Sequence, residues 1–161
     1  MAELTTRVLG RTGATVTSLG FGAMELRGGA HGRKISDADV GKLLNQVLDS
    51  GITFIDTSID YGVSEERIGQ HISQRRNEYF LASKCGCQFD WQPKAGEDRG
   101  GPHIYTKDNI VAGINQSLTR LKTDHLDLVQ IHATPSNAVL EENGTIETLK
   151  NLQQEGKVRF L

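Results

Sequence analysis

Four side chains of this chain could take part in proton transfer: Asp56, Tyr61, Lys84 and His132. Three of them close runs that pass from apolar residues to a titratable one, at 52–56, 79–84 and 126–132. Long helical stretches separate these runs, so we expect parallel strands joined by helical crossovers. Parallel strands bring their C-terminal ends to one mouth, where α/β folds place their chemistry. Because Tyr61 follows Asp56 by five residues, the sequence predicts that all four groups share one pocket.

The predicted pocket would combine a phenol, an ammonium, a carboxylate and an imidazole. Tyrosine is a poor acid at neutral pH, with a pKa of about 10, and a nearby ammonium eases the loss of its proton. A carboxylate beside that ammonium keeps it charged and in place, and an imidazole can donate to a carbonyl oxygen. Such a set suits a reaction that places negative charge on a carbonyl oxygen, for example hydride addition.

Each of the four residues also has an explanation without chemistry. Asp56 could cap a turn, Lys84 could be solvated, His132 could be a hydrogen-bonded turn residue, and Tyr61 could be an ordinary neighbour of Gly62. Strand ends commonly carry polar residues, so each explanation is reasonable alone. Three neighbouring strands that end in complementary acid–base groups favour the functional interpretation.

The composition is that of a single globular domain, which we assign to residues 1–161. Apolar residues make up 37% of the chain and it has 18 glycines, enough to bury a core. The net charge is −2 and no basic run is rich enough to track phosphates, so nucleic acid is not an expected partner. No apolar stretch has the length of a membrane span or a signal peptide, which predicts a cytoplasmic protein without a membrane partner.

The two cysteines, Cys85 and Cys87, lie one residue apart. A disulfide between them would be strained, and the spacing is not that of a zinc knuckle. We therefore predict two reduced thiols and no metal site.

The hydrophobic pattern predicts strands alternating with helices after an initial hairpin at 7–18. A short first core strand is expected at 19–24. Helices are expected from a cap at Ser36, from Ser64, from a cap at Thr106, and around Ile146, Leu149 and Leu152. A fifth strand begins at 157–161, and residues 88–105 form a long loop at the carboxyl end of the third strand.

This order of elements predicts an α/β fold of the (β/α)₈ TIM-barrel type. The chain would supply about the first half: the N-terminal hairpin, four βα units and the start of the fifth strand, where a whole barrel needs about 250 residues. A five-stranded doubly wound sheet is the rival architecture. Against it, the glycines at 20–25 lack the third glycine of the dinucleotide fingerprint, and a leading hairpin suits a plug under a barrel.

Several segments resemble the aldo-keto reductase family. The segment 51–69, with Asp56-Thr-Ser-Ile-Asp-Tyr61-Gly followed by Ser-Glu, is similar to the family signature. Lys84 and His132 stand where the family keeps its other two catalytic residues. The glycine-containing segments 9–13 and 19–24 match the start of the family pattern, so the resemblance spans the whole chain.

The resemblance implies an NADPH-dependent oxidoreductase that reduces aldehydes or ketones to alcohols. Tyr61 would be the general acid, and Lys84 the cation that eases its proton loss. Asp56 would hold Lys84 and lie near the nicotinamide ribose, while His132 would orient the small-molecule carbonyl substrate. The segment Gly22, Ala23 and Met24 corresponds to the strand that approaches the cofactor, and the loop with Trp91 to a substrate-pocket loop.

Family members run to about twice this length, consistent with the size of a full barrel. Beyond position 161 the family places residues that hold the carboxamide, stack on nicotinamide and bind the 2′-phosphate. The expectation is therefore an incomplete form holding the catalytic half, with self-association or pairing with a complementary half-barrel. The alternatives are a non-catalytic binding or regulatory half-barrel, a truncated pseudoenzyme, or a scaffold whose resemblance is ancestral.

Overall fold

A five-stranded parallel sheet, covered on one face by helices and preceded by a hairpin, forms the body of the molecule. The computed structural model describes residues 4–28, 34–91 and 101–161. The strands are β1 (Thr6–Val8), β2 (Thr15–Thr17), β3 (Phe21–Gly22), β4 (Phe54–Asp56), β5 (Phe80–Cys85), β6 (Leu126–Ile131) and β7 (Val158–Phe160). The α-helices are α1 (Asp37–Asp49), α2 (Ser64–Ile72), α3 (Lys107–Leu121), α4 (Asn137–Glu142) and α5 (Thr145–Gln154), with 3₁₀ turns at Ala23–Arg27 and Ser73–Glu78.

The strand order of the sheet is β3-β4-β5-β6-β7, the same as the order in the chain. A doubly wound sheet reverses its strand order at a switch point, whereas a (β/α)₈ barrel adds each new strand on the same side. Helices α1, α2, α3 and α5 also contact one another in sequence, and a single apolar core lies between them and the sheet. The barrel-type arrangement of four βα units and a fifth strand is confirmed, and the doubly wound alternative is wrong.

The predicted hairpin is confirmed as the antiparallel pair β1 and β2, in which Arg7 faces Val16. It is attached to the residue that precedes β4 by two reciprocal hydrogen bonds of 3.0 Å. Thr17 N donates to Thr53 Oγ1, and Thr53 N donates to Thr17 Oγ1. The hairpin therefore lies at the amino-terminal end of the sheet, opposite the end where the predicted site residues stand.

The first core strand is shorter than predicted. Only Phe21 and Gly22 pair with β4, and the chain turns into a 3₁₀ helix from Ala23, which includes Met24. The turn is compatible with the sheet because Ser64 Oγ donates to the carbonyl oxygen of Ala23 at 2.8 Å. A hydrogen bond from α2 thus takes the place of continued strand pairing.

Two apolar residues at helical spacing are exposed: Leu43 in α1 at 36%, and Ile146, one of the three residues that mark the predicted last helix, at 42%. Helical spacing alone therefore does not show which apolar residues of a helix are covered. Thr106 occupies the cap position of α3 but its side chain makes no capping hydrogen bond. Helix α4 was not predicted, since six residues are too few for a periodic signal.

The long loop predicted at 88–105 is described only at its two ends. Positions 92–100 lie outside the described residues. Residues 101–105, the returning arm of the loop, pair with the chain just after β5 through an isolated bridge between Cys87 and His103. Among the described residues, no helix is both long and apolar enough to cross a lipid bilayer.

Candidate active site

An ion pair across neighbouring strands forms the centre of the site. Asp56 ends β4 and Lys84 is the fifth residue of β5, one position before that strand ends. Lys84 Nζ donates to Asp56 Oδ2 at 2.7 Å and to the Thr57 carbonyl oxygen, also at 2.7 Å. The Lys84 side chain is 13% exposed and that of Asp56 30%, so both charges are partly removed from water. The predicted contact between the two residues is confirmed.

Tyr61 lies over this ion pair, in the loop between β4 and α2. Lys84 Nζ is 4.8 Å from the centroid of the Tyr61 ring, within the range of a cation–π contact. The loop closes through hydrogen bonds from Tyr61 N to Ser58 O and from Ser64 N to Tyr61 O. Gly62 has φ +49, and a Cβ there would collide with the Arg27 carbonyl oxygen, so glycine is needed at this position.

His132 comes directly after β6 and faces the same cluster. Its ring lies edge-on to the Tyr61 ring, with the centroids 6.0 Å apart and the planes at 85°. The structure therefore brings all four residues together at the carboxyl ends of β4, β5 and β6, as the strand-end pattern predicts. Their catalytic roles stay a prediction.

Gln130 is a member of the cluster that the sequence reasoning missed. It lies opposite Lys84 in the parallel register of β5 and β6. Its Nε2 donates to Asp56 Oδ1 at 2.9 Å, so both oxygens of that carboxylate are engaged. The sequence could have predicted Gln130 as a site residue, because it precedes His132 by two positions and residues two positions apart on a strand lie on the same face.

The Nδ1 atom of His132 faces a polar pocket that holds three further side chains. It lies 3.0 Å from Cys87 Sγ, 3.4 Å from Ser58 Oγ and 3.6 Å from Asp60 Oδ1. Burial lowers the pKa of His132, with smaller effects in the same direction from His103 and Lys84 and opposing effects from the nearby aspartates. The neutral imidazole is thereby favoured, and it keeps one N–H to donate.

Both cysteines are free thiols, as predicted, and they occupy different surroundings. Cys85 lies in the apolar core, whereas Cys87 faces Ser58 and His132. Burial raises the pKa of each thiol to about 12.

Asn109, Gly86 and Tyr105 hold the returning arm of the loop against these strand ends. Asn109 Nδ2 donates to the carbonyl oxygens of Cys87 and Ile104, at 3.0 and 2.7 Å. Gly86 has φ +97, and a Cβ there would collide with the Tyr105 ring. The Tyr105 hydroxyl donates to the His132 carbonyl oxygen at 2.7 Å. Each of these contacts reduces the freedom of the loop beside the site.

The segment predicted to approach a cofactor lies beside Asp56. Gly22 is paired with Asp56 in the register of β3 and β4, and a Cβ at Gly22 would meet nothing within 4 Å. Met24 is 42% exposed, while Ala23 is fully buried, so the Ala23 side chain has no surface to offer. A cavity of about 500 Å³ runs from the hairpin to Gly22 and Asp56. Open space therefore adjoins the carboxylate end of the ion pair.

Glu65, in the first turn of α2, is a buried carboxyl beneath the site. It is 1% exposed and accepts a hydrogen bond from Ser83 Oγ at 2.9 Å. Burial raises the pKa of Glu65 to about 7, although Ser83 and the Arg120 guanidinium, 3.8 Å away, act in the opposite direction. Glu65 was not singled out from the sequence, because a position on a helix does not reveal which element covers it.

Comparison with known proteins assigns most of the chain to one family. The model of the aldo/keto reductase family matches residues 18–161. Among curated proteins, the uncharacterized oxidoreductase YqkF of Bacillus subtilis is 32% identical, over 96% of this chain and 46% of that protein. The L-galactose dehydrogenase of Arabidopsis thaliana is also 32% identical, over 100% of this chain and 48% of that protein. The chain thus spans about half the length of the curated relatives it matches.

Solved structures give the same result for the fold. The aldo-keto reductase AKR11C1 from Bacillus halodurans, in its holo form, superposes with a TM-score of 0.81 and 32% sequence identity. The match covers 98% of this chain and 49% of that one.

Proposed function

Since this chain belongs to the aldo/keto reductase family, we propose that it carries the catalytic half of an oxidoreductase site for small aldehydes or ketones. In this proposal the carbonyl is reduced to an alcohol, with NADPH as the cofactor and Tyr61 as the proton donor. The contact of Lys84 with both Asp56 and the Tyr61 ring is the observation that carries the proposal.

Lys84 and Asp56 prepare Tyr61 for proton donation. As the phenol gives up its proton, negative charge develops on its oxygen, and an ammonium near the ring stabilises that charge. Asp56 Oδ2 and the Thr57 carbonyl hold two of the ammonium hydrogens, which fixes the position of Lys84. Gln130 in turn holds the other oxygen of Asp56, so the carboxylate cannot rotate away.

His132 supplies the second polar contact to the substrate. Its ring lies edge-on to Tyr61, so a carbonyl oxygen beside the phenol is also beside the imidazole. The Cys87 thiol, which stays protonated because burial raises its pKa, donates to Nδ1 in this proposal. The neutral ring then carries its hydrogen on Nε2, where it can donate to the substrate. Two donors on one oxygen both orient the carbonyl and stabilise the charge that reduction places on it.

The surface next to Asp56 fits the nicotinamide end of a cofactor. Among the described residues, no atom lies within 4 Å of a Cβ built at Gly22, which leaves room for a flat ring against the β3 backbone. Gly22 and Met24 would line that side, Ala23 would contribute only backbone, and Asp56 would lie near the ribose. When bound, a nicotinamide cofactor supplies the hydride. The chain's own residues place the carbonyl and provide the proton.

We also propose that the isolated 161-residue chain associates with a second copy or a complementary half-barrel. Phe54, Phe80 and Phe160 stack on the face of the sheet opposite the helices, with ring centroids 5.6 and 6.2 Å apart. Phe54 and Phe160 are only half-buried, and the edges of β3 and β7 have no neighbouring strand among the described residues. Apolar faces and open edges favour association.

The test of the proposed activity uses protein expressed from its complete open reading frame. NADPH consumption is followed with a panel of small aldehydes and ketones, and the alcohol formed is quantified. The proposal expects one alcohol for each NADPH oxidised, together with quenching or enhancement of cofactor fluorescence on binding. Binding without turnover across the panel would favour the non-catalytic alternative, and the absence of both would contradict the proposal.

A further inference from the structure

A second cluster of side chains, next to the proposed active site, has the composition of a metal centre. Asp60, Cys87, His103 and His132 each offer one ligand atom, and these four atoms lie within 4.8 Å of one another. Asp60 lies in the loop after β4, Cys87 two residues after β5, His103 in the part of the long loop that returns to the sheet, and His132 directly after β6. We propose that this cluster binds one zinc ion, which pins the returning arm of the loop to the barrel mouth.

The ligand atoms come close to the spacing of a tetrahedral site, and separations of up to 4.8 Å must shorten when the ion binds. Zinc bonds of about 2.0–2.3 Å separate neighbouring tetrahedral ligands by about 3.3–3.6 Å. His132 Nδ1 already lies 3.6 Å from Asp60 Oδ1, while its 3.0 Å distance to Cys87 Sγ must open slightly. Coordination through Nδ1 leaves Nε2 of His132 free, so the ion and a substrate do not compete for the same atom.

The charge balance of the pocket points to a cation. The Asp60 side chain is only 8% exposed, and within the described part of the chain its one ion-pair partner is the His132 ring. Ser58 Oγ donates to Asp60 Oδ1 at 2.6 Å but carries no charge. A buried carboxylate with no lysine or arginine beside it is costly unless a cation is supplied, and a divalent ion between the four ligands supplies one.

The ligands are held in place by the surrounding backbone, as a binding site requires. Cys87 and His103 form an isolated antiparallel bridge, and Gln88 N donates to Pro102 O at 2.9 Å on the same ladder. The His103 ring stacks on Tyr105, whose hydroxyl is bonded to the His132 carbonyl. Loop and strand ends thus approach with the ligand atoms already facing one another.

The ligand types select zinc and a structural role. One thiolate, two imidazoles and a carboxylate form the mixed sulfur, nitrogen and oxygen set that zinc accepts, whereas magnesium and calcium prefer oxygen ligands alone. Four protein ligands leave no open position for a water or a substrate, which is the pattern of structural sites. The Cys87 thiol loses its proton to solvent on coordination. The sequence analysis did not find this ligand set from the cysteine spacing, because Asp60 and His132 lie far from the cysteines in the sequence.

Cobalt substitution tests the site without any assay of activity. The metal-free 161-residue chain, lacking any affinity tag, is titrated with Co²⁺, and the visible and near-ultraviolet spectra are recorded. We expect one equivalent to produce intense tetrahedral d–d bands with a sulfur-to-cobalt band, and one equivalent of Zn²⁺ to abolish both. Cys87→Ser and His103→Ala should each lower the affinity for zinc by more than about 100-fold, because even partners of ligands are worth 10–100-fold.

Matched controls separate a specific site from adventitious binding. Cys85→Ser removes the other thiol, which lies in the apolar core, and His125→Ala removes an imidazole at the opposite end of β6. Both controls should bind Co²⁺ with the unchanged spectrum, and circular dichroism checks that each variant is folded. If Cys87→Ser fails to fold, His103→Ala still decides, since that side chain is exposed. Loss of the spectrum only with Cys85→Ser, full affinity in His103→Ala, or no saturable spectrum in the parent chain would each overturn the proposal.

Discussion

Lys84 Nζ donates to Asp56 Oδ2 at 2.7 Å across two neighbouring parallel strands. The exposed pair Lys42 and Asp39, at 3.2 Å on the surface of α1, has the same two residue types in open solvent. The side chains are 13% and 30% exposed in the first pair and 77% and 56% in the second. Because the Lys84–Asp56 pair is more buried, we expect a larger coupling free energy between its two charges than between Lys42 and Asp39.

A double-mutant cycle measures that coupling. Lys84→Met, Asp56→Asn and the double variant should give a coupling of about 1–3 kcal/mol in the free energy of unfolding, because partly buried charges are poorly screened. The matched cycle on Lys42 and Asp39 should give a much smaller coupling, because solvent screens both charges. Urea denaturation of the seven proteins, including the parent, supplies both values. Equal coupling in the two pairs would show that the strand-end pair gains nothing from its position.

Asn109 should be a strong determinant of loop stability. Besides its two donated bonds, its Oδ1 accepts from Phe89 N at 3.0 Å, and the residue is 7% exposed. Asn109→Ala removes the side-chain partner of three backbone groups, of which the Cys87 carbonyl bond is buried and the other two are partly buried, and we expect a cost of about 1–3 kcal/mol. Asn115→Ala, on the exposed face of the same helix, is the control and should cost little. Chemical denaturation compares the two, and similar losses would contradict the role assigned to Asn109.

Glu65 should make the stability depend on pH in an unusual direction. Its pKa is about 7 in the folded protein and 4.5 without the fold, so the native state binds more protons between these values. The free energy of unfolding therefore falls as the pH rises from about 4.5 to about 7 and is level on either side as far as this group is concerned. Glu65→Gln should remove that slope and raise the stability above pH 7 by up to about 3 kcal/mol.

Glu66→Gln is the matched control for this change. Glu66 is adjacent, contacts the same Arg120 at 3.2 Å and is 47% exposed. The slope should persist in this variant. Thermal or urea denaturation between pH 4 and 8 gives the comparison, and a slope that survives Glu65→Gln would assign it to another group.

The site residues at strand ends could be predicted because two simple rules agree on them. An apolar run ending in Asp56, Lys84 or His132 marks the carboxyl end of a buried strand. Parallel strands have their carboxyl ends at the same edge of the sheet. Asp60 and His103 could not be found in this way. Asp60 lies inside a loop, and His103 reaches the cluster through a backbone bridge to Cys87 that no periodicity encodes. The burial of Glu65 likewise depends on α3 packing over α2, which is a tertiary contact.

Self-association should depend on the aromatic face of the sheet. Sedimentation velocity of the isolated 161-residue chain should show dimers or larger species, since Phe160 and the β7 edge are accessible. Phe160→Lys should shift the distribution towards monomer. Phe89→Lys, at a 40% exposed position away from the sheet, should leave it unchanged. A monomeric parent chain at micromolar concentration would contradict this expectation.

The most direct test of the proposed chemistry is the turnover of Tyr61→Phe in protein expressed from its complete open reading frame. The change removes only the phenolic oxygen, and general acid catalysis is typically worth about 10²–10⁴-fold. We predict a fall in kcat of that size with cofactor affinity unchanged. Tyr79→Phe, which alters a buried tyrosine before β5 at the other end of the sheet, should keep full turnover. Full turnover in Tyr61→Phe, or an equal loss in Tyr79→Phe, would show that the proton comes from elsewhere.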